Sequence, residues 1–259
     1  MTPPIRPSHA LGLTLAGAQI AYGLDAPRPP WMTRAIVALY LTTSTVDAVE
    51  QRGARGAAVV AAAGSIGFGA ELLGVHTGKP FGPYDYSGQL GPKVAGVPLM
   101  AAAAWGLLAR PSRVVGDLVA GRSGLAKVAA AAGALTAWDV FLDPRMVRED
   151  YWRWPGGGRY EGIPASNYLG WFATSAAIFA ATQVIDPADE PLAPVTSSAL
   201  PGERQGDTAL AIYAWTWVGE LIANLLLWKR PKVAAAGGVA MGLLAVPALL
   251  ARWRAGRTR

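Results

Sequence analysis

Several carboxylic acids stand in or at the ends of otherwise apolar runs of the sequence, among them Glu71, Asp139, Asp143 and Glu220. An ionisable side chain at bilayer depth costs roughly 2.5–3.5 kcal/mol on insertion scales, so each needs a purpose. Asp139 and Asp143 lie four residues apart, which puts both carboxyls on one face of a helix. Two anions so placed repel and are poorly solvated, so one of the pair is expected to hold a proton at neutral pH. A neutral carboxylic acid is what a general acid requires. The plainer alternative is that these acids pair with Arg145, Arg148, Lys79 or Lys93 and tie helix ends to loops. That alternative weighs most for Asp143, which Pro144 and Arg145 follow at once. Asp139 and Glu71 lie a turn or more deeper, which favours chemistry; Glu220 fits either role. Gly67 and Gly74 flank Glu71 at helical spacing, which suits close approach of another helix.

Aromatic residues gather around these acids. Of ten tryptophans and eight tyrosines, Tyr84, Tyr86, Trp138, Tyr151, Trp152, Trp154, Tyr160, Tyr168 and Trp171 fall in or beside two segments, 74–96 and 143–164. Trp and Tyr also form belts at membrane interfaces, so belt and pocket lining are both open for this set. Ring faces beside acids suit a developing cation, each contributing roughly 0.5–2 kcal/mol. His76 is the only histidine besides His9; its residue type fits a loop hydrogen bonder more readily than a ligand.

The elements that must hold these residues are membrane helices. Apolar residues make up 52% of the 259-residue chain and charged residues 15%, against roughly 25% charged in soluble domains. Apolar runs fall near 10–24, 35–49, 57–75, 94–109, 125–142, 166–185, 208–228 and 233–251, most of them close to the roughly 17–25 residues that cross a bilayer as helix. The expected fold is all-α: a polytopic integral membrane bundle of about eight transmembrane helices, one domain over 1–259. A flexible, proline- and acid-rich loop is expected at 186–207. With eight spans, the aromatic segments are the third and fifth connections and emerge on one side of the membrane. The first run is short enough to imitate a signal-peptide core, but the runs behind it favour an uncleaved anchor.

Zero cysteines exclude disulfides, thiolate metal sites and a thiol nucleophile. The net charge of +6 owes much to the Arg-rich tail 251–259, which reads as a cytoplasmic anchor. With both termini inside and the tail included, Lys and Arg divide almost evenly between the two sides. They are scattered at helix ends and offer nothing to nucleic acid.

Three blocks resemble a known family. They are ELLGVHTGKPFGPYDY at 71–86 with LGPKVAGVP at 90–98, AWDVFLDPRMV at 137–147, and YWRW at 151–154 with GIPASNYLGW at 162–171. In these blocks, which fill a motif region at 69–172, the chain resembles the membrane carotenoid biosynthesis proteins that include the carotenoid 1,2-hydratases and bisanhydrobacterioruberin hydratase. The resemblance implies a multi-pass enzyme of the cell membrane. Such an enzyme adds water across the terminal double bond of an acyclic carotenoid, without metal or redox cofactor. Its partners would be the lipophilic carotenoid and the bilayer, with contact to other enzymes of carotenoid synthesis.

Hydration of such an alkene needs an acid, a cation stabiliser and a positioned water. Asp139 is expected to give the proton, with Glu71 holding the water or acting as base and Asp143 supporting the pair; the first two roles are interchangeable at this level. Trp138, Tyr84, Tyr86, Trp152, Trp154 and Trp171 are expected to line the cation, and Asn167 and His76 to orient the water. Two other classes remain. The Asp139–Asp143 spacing resembles the Asp-x-x-x-Asp pairs of magnesium-dependent membrane prenyltransferases, though no second aspartate-rich block accompanies it. A transporter or scaffold would use the acids as a proton relay or helix glue, though no paired repeat is visible.

Overall fold

A computed structural model describes residues 5–24, 28–121, 123–187 and 204–257. Most of the loop expected at 186–207 lies outside these residues. Nine α-helices are described: α1 (Pro7–Leu24), α2 (Pro30–Arg52), α3 (Ala54–Thr77), α4 (Leu99–Leu107), α5 (Ala109–Val119), α6 (Gly124–Arg148), α7 (Ala165–Ile185), α8 (Asp207–Ile222) and α9 (Pro231–Arg257). A π-helical turn, Ala223–Leu227, continues α8. Pro7, Pro30 and Pro231 open α1, α2 and α9, where the missing N–H would be unpaired in any case. Gly78, at φ +72°, closes α3 in the left-handed conformation and turns the chain into the first aromatic loop.

Among the described residues, five segments are long and apolar enough to cross a membrane: α3, α6, α7, α8 with its π turn, and α9. The protein is a multi-pass membrane helical bundle. The fourth expected span, 94–109, differs from expectation. Residues 93–98 form a small hairpin of strands β2 (Lys93–Val94) and β3 (Val97–Pro98), numbered after β1 (Asp85–Tyr86). The nine-residue α4 rises only about 14 Å, under half of the ~30 Å hydrocarbon core. Pro111 explains the break, since it has no N–H to give the Leu107 carbonyl four residues earlier. Ser44 Oγ of α2 donates to that carbonyl instead, at 2.5 Å, and α5 starts on a new course packed against α6 and α9.

The same substitution of partners recurs inside α6. Pro144 leaves the Val140 carbonyl without its helical donor, and the Tyr160 hydroxyl donates to it at 3.0 Å. A phenol from the second aromatic loop is thereby fixed one turn from Asp143. The two aromatic loops meet directly: β1 pairs antiparallel with β4 (Trp152–Arg153), Tyr86 opposite Trp152. The expectation that both loops emerge on one side is met, and together they roof that end of the bundle.

Candidate active site

Beneath this roof lies a cavity of about 360 Å³ lined from α1, α2, α3, α4, α6, α7, α8 and both loops. Glu71, near the end of α3, is buried and faces it. Its Oε1 accepts from Trp105 Nε1 of α4 at 3.0 Å. Its Oε2 accepts from the Tyr86 hydroxyl at 2.9 Å and from the Tyr84 hydroxyl. Burial and the adjacent Glu71 carboxylate push both loop phenols above the ordinary tyrosine range, so they remain donors. Gly67 and Gly74 make room for these rings: a Cβ on Gly67 would stand 2.1 Å from the Trp105 indole, and one on Gly74 would stand 2.8 Å from Phe81 and the Tyr84 hydroxyl. What approaches the glycines is therefore aromatic side chain more than helix backbone.

Asp143 faces the same cavity from α6. Its Oδ1 accepts from Trp152 Nε1 at 3.0 Å, and its Oδ2 accepts from the Asn167 amide of α7. The same Asn167 Nδ2 donates to Asp139 Oδ2 at 3.0 Å. Asp139 is fully buried, and its Oδ1 receives no N–H or O–H donor. Asn167 Nδ2 thus bridges the two carboxyls, which lie one helical turn apart on α6. Among the described residues, the donors that reach Glu71, Asp139 and Asp143 are all neutral. Arg145 pairs instead with Glu220, at 3.1 Å, and Lys93 Nζ donates to the Tyr86 carbonyl at 2.7 Å.

Aromatic faces complete the chamber. Trp105 and Trp171 stack at 4.0 Å between centroids, and Trp138 meets Trp171 edge-on at 6.3 Å. Tyr86 meets Trp152 edge-on at 5.7 Å. Trp154 Nε1 donates to the Phe81 carbonyl at 3.0 Å, sealing the two loops together.

The structure brings Glu71, Asp143, Asn167, Tyr84, Tyr86, Trp138, Trp152, Trp154 and Trp171 to one cavity. Two of the expected residues lie apart from it. Asp139 does not line it but sits behind Asp143 and Asn167. His76 is exposed at the end of α3; at about 100° per residue it stands some 140° around the helix from Glu71. Sequence reasoning missed Trp105, Tyr40, Arg145 and Trp228 as lining residues. A tryptophan in an apolar run looks the same whether it meets lipid or a neighbouring acid, so only packing distinguishes them. Among the described residues no group of three or more His, Cys, Asp or Glu is placed to hold a metal ion.

Helices, roof and buried acids define a polytopic membrane protein with an enclosed aromatic chamber. A family model described as carotenoid biosynthesis protein matches residues 32–245. The chain belongs to that family, and its role lies in carotenoid biosynthesis. No curated protein and no solved structure matches the chain.

Proposed function

We propose that the protein hydrates the terminal double bond of an acyclic carotenoid end by acid catalysis. The observation that carries this is the chamber itself: two buried carboxyl groups, Glu71 and Asp143, face one aromatic cavity and are held only by neutral donors. An apolar ligand fits such walls, and acids without a countercharge remain available to move protons.

In the proposed reaction, Asp143 gives a proton to the less substituted alkene carbon. Its position on the cavity wall selects it over Asp139, which stands behind it and Asn167. The tertiary cation so formed lies among the rings of Trp138, Trp152 and Trp171, whose faces stabilise it in place of water. A water held by Glu71 attacks the cation, Glu71 takes the released proton, and the acid pair is recharged from solvent. One water is consumed, one carbon–hydrogen and one carbon–oxygen bond form, and no electrons are exchanged. General acid and base steps of this kind contribute about 10²–10⁴-fold each.

Expression in cells that accumulate lycopene, with mass spectrometry of the extracted carotenoids, tests this. A gain of one water with the polyene absorption unchanged is expected. Unchanged lycopene beside membrane-inserted protein would contradict hydration of that end.

A further inference from the structure

A carotenoid is a rod comparable in length with the ~30 Å hydrocarbon core, and a cavity of about 360 Å³ is near the lower limit of volumes that enclose even a drug-sized ligand. Only one end of the polyene can be enclosed, so the rest must pass out through the wall. All the exposed residues that line the cavity lie on α1, on α8 or on its π turn. Ile20, Val218, Ile222 and Leu227 line the cavity and are 51%, 40%, 48% and 43% exposed; α8 with its π turn is apolar enough to cross a membrane, and α1 exposes Leu13, Gly17, Ala21 and Leu24 beside Ile20.

From the continuity of acid chamber, cavity and lipid-facing mouth, we infer that the gap between α1 and α8 is a lateral portal. The polyene tail lies in it, half in protein and half in bilayer, while the end group reacts at Asp143. This rests on the chamber receiving a carotenoid, not on the reaction being hydration.

Three features shape the portal. On one flank, α1 and α8 are joined by the Trp215 Nε1 to Gln19 Oε1 hydrogen bond at 2.8 Å and by His9 to Thr208 at 3.2 Å. On the other, Gly23 keeps α1 clear of Leu227: a Cβ there would stand 3.2 Å from Leu227 Cδ1. Between them α8 gives way to the π turn Ala223–Leu227, a widening of the helix often found at functional sites. Asn224 secures that turn by donating to the Glu220 carbonyl at 2.9 Å. One end of the portal is thus fixed by hydrogen bonds between the helices and the other by the close approach of Gly23 to Leu227, and its middle is lined by apolar side chains that can yield to a rod.

The wild-type chain has no cysteine, so Ile20→Cys with Val218→Cys places the only two thiols across the mouth. Protein made in carotenoid-free cells is put into liposomes and bridged with a flexible, reducible bifunctional methanethiosulfonate. Lycopene loading is then read from pigment retained after repurification, and product by mass. The bridge is expected to slow loading at least tenfold, with recovery in the same sample on reduction. A single bulky change, Ile20→Trp, should slow loading too, whereas Leu243→Trp on the exposed face of α9 should not. Equal loading before and after bridging, with Ile20→Trp loading like Leu243→Trp, would overturn the portal. Loading that is blocked and restored, but yields no hydrated product, would uphold the portal and refute hydration.

Discussion

The bundle buries carboxylates at both of its ends and treats them in opposite ways. At the end away from the aromatic roof, Asp47 accepts from Arg110 Nε at 2.7 Å and from Gln51 Nε2 at 2.8 Å, and Gln51 Oε1 accepts from Arg110 and from the Gly206 amide. Asp186 is held between Arg52 and Arg113. Each of those acids has a guanidinium, and the network ties α2, α5, α7 and the start of α8 together. Beneath the roof, Glu71, Asp139 and Asp143 have indoles, phenols and one amide. A buried carboxylate with a cation is compensated and inert. One with neutral donors can exchange a proton with whatever occupies the cavity. Burial alone does not mark the functional acids; the kind of partner does.

The largest effects should separate the two ends cleanly. Asp143→Asn is expected to lower turnover by about 10²–10⁴-fold while the protein folds and retains carotenoid, as read from pigment bound after purification. Asp47→Asn strands Arg110 and is expected to cost about 3–5 kcal/mol of stability, seen as lost folded yield, with turnover per folded molecule kept. If Asp47→Asn removed turnover from folded protein, the contrast between the ends would be broken.

Smaller changes sharpen it. Trp105→Phe keeps a ring but removes one donor to Glu71; a hydrogen bond to a charged group is worth about 1.5–3 kcal/mol, so turnover should fall about ten- to a hundredfold. Gly67→Ala pushes a methyl into the Trp105 indole and should cost about 1–3 kcal/mol, measured as a lower Tm. His76→Ala, on the exposed end of α3, should change stability by under about 0.5 kcal/mol and leave turnover as it was.

Much of this was legible in the sequence because it depends on local pattern. Apolar runs locate the long helices, and the four-residue spacing puts Asp139 and Asp143 on one face. Span parity puts the two aromatic loops on one side, though not the register that sets Tyr86 opposite Trp152. What escaped depends on partners distant in the chain. The break before α5 needs Pro111 together with Ser44 to stabilise the Leu107 carbonyl. Asp143 rather than Asp139 reaches the cavity because Pro144 and Tyr160 fix that turn and Asn167 covers the deeper acid. Arg145 follows Asp143 closely in sequence, yet its charge goes to Glu220 on α8, a pairing that no local spacing reveals.

Isotopic tracing tests the central claim most directly. Purified protein in liposomes is given an acyclic carotenoid in deuterated water and, separately, in heavy-oxygen water, and the product is analysed by mass spectrometry. Acid-catalysed hydration predicts one carbon-bound deuterium and an oxygen drawn wholly from water, both lost together in Asp143→Asn. Product oxygen that does not come from water, or product formed by Asp143→Asn at the wild-type rate, would contradict it.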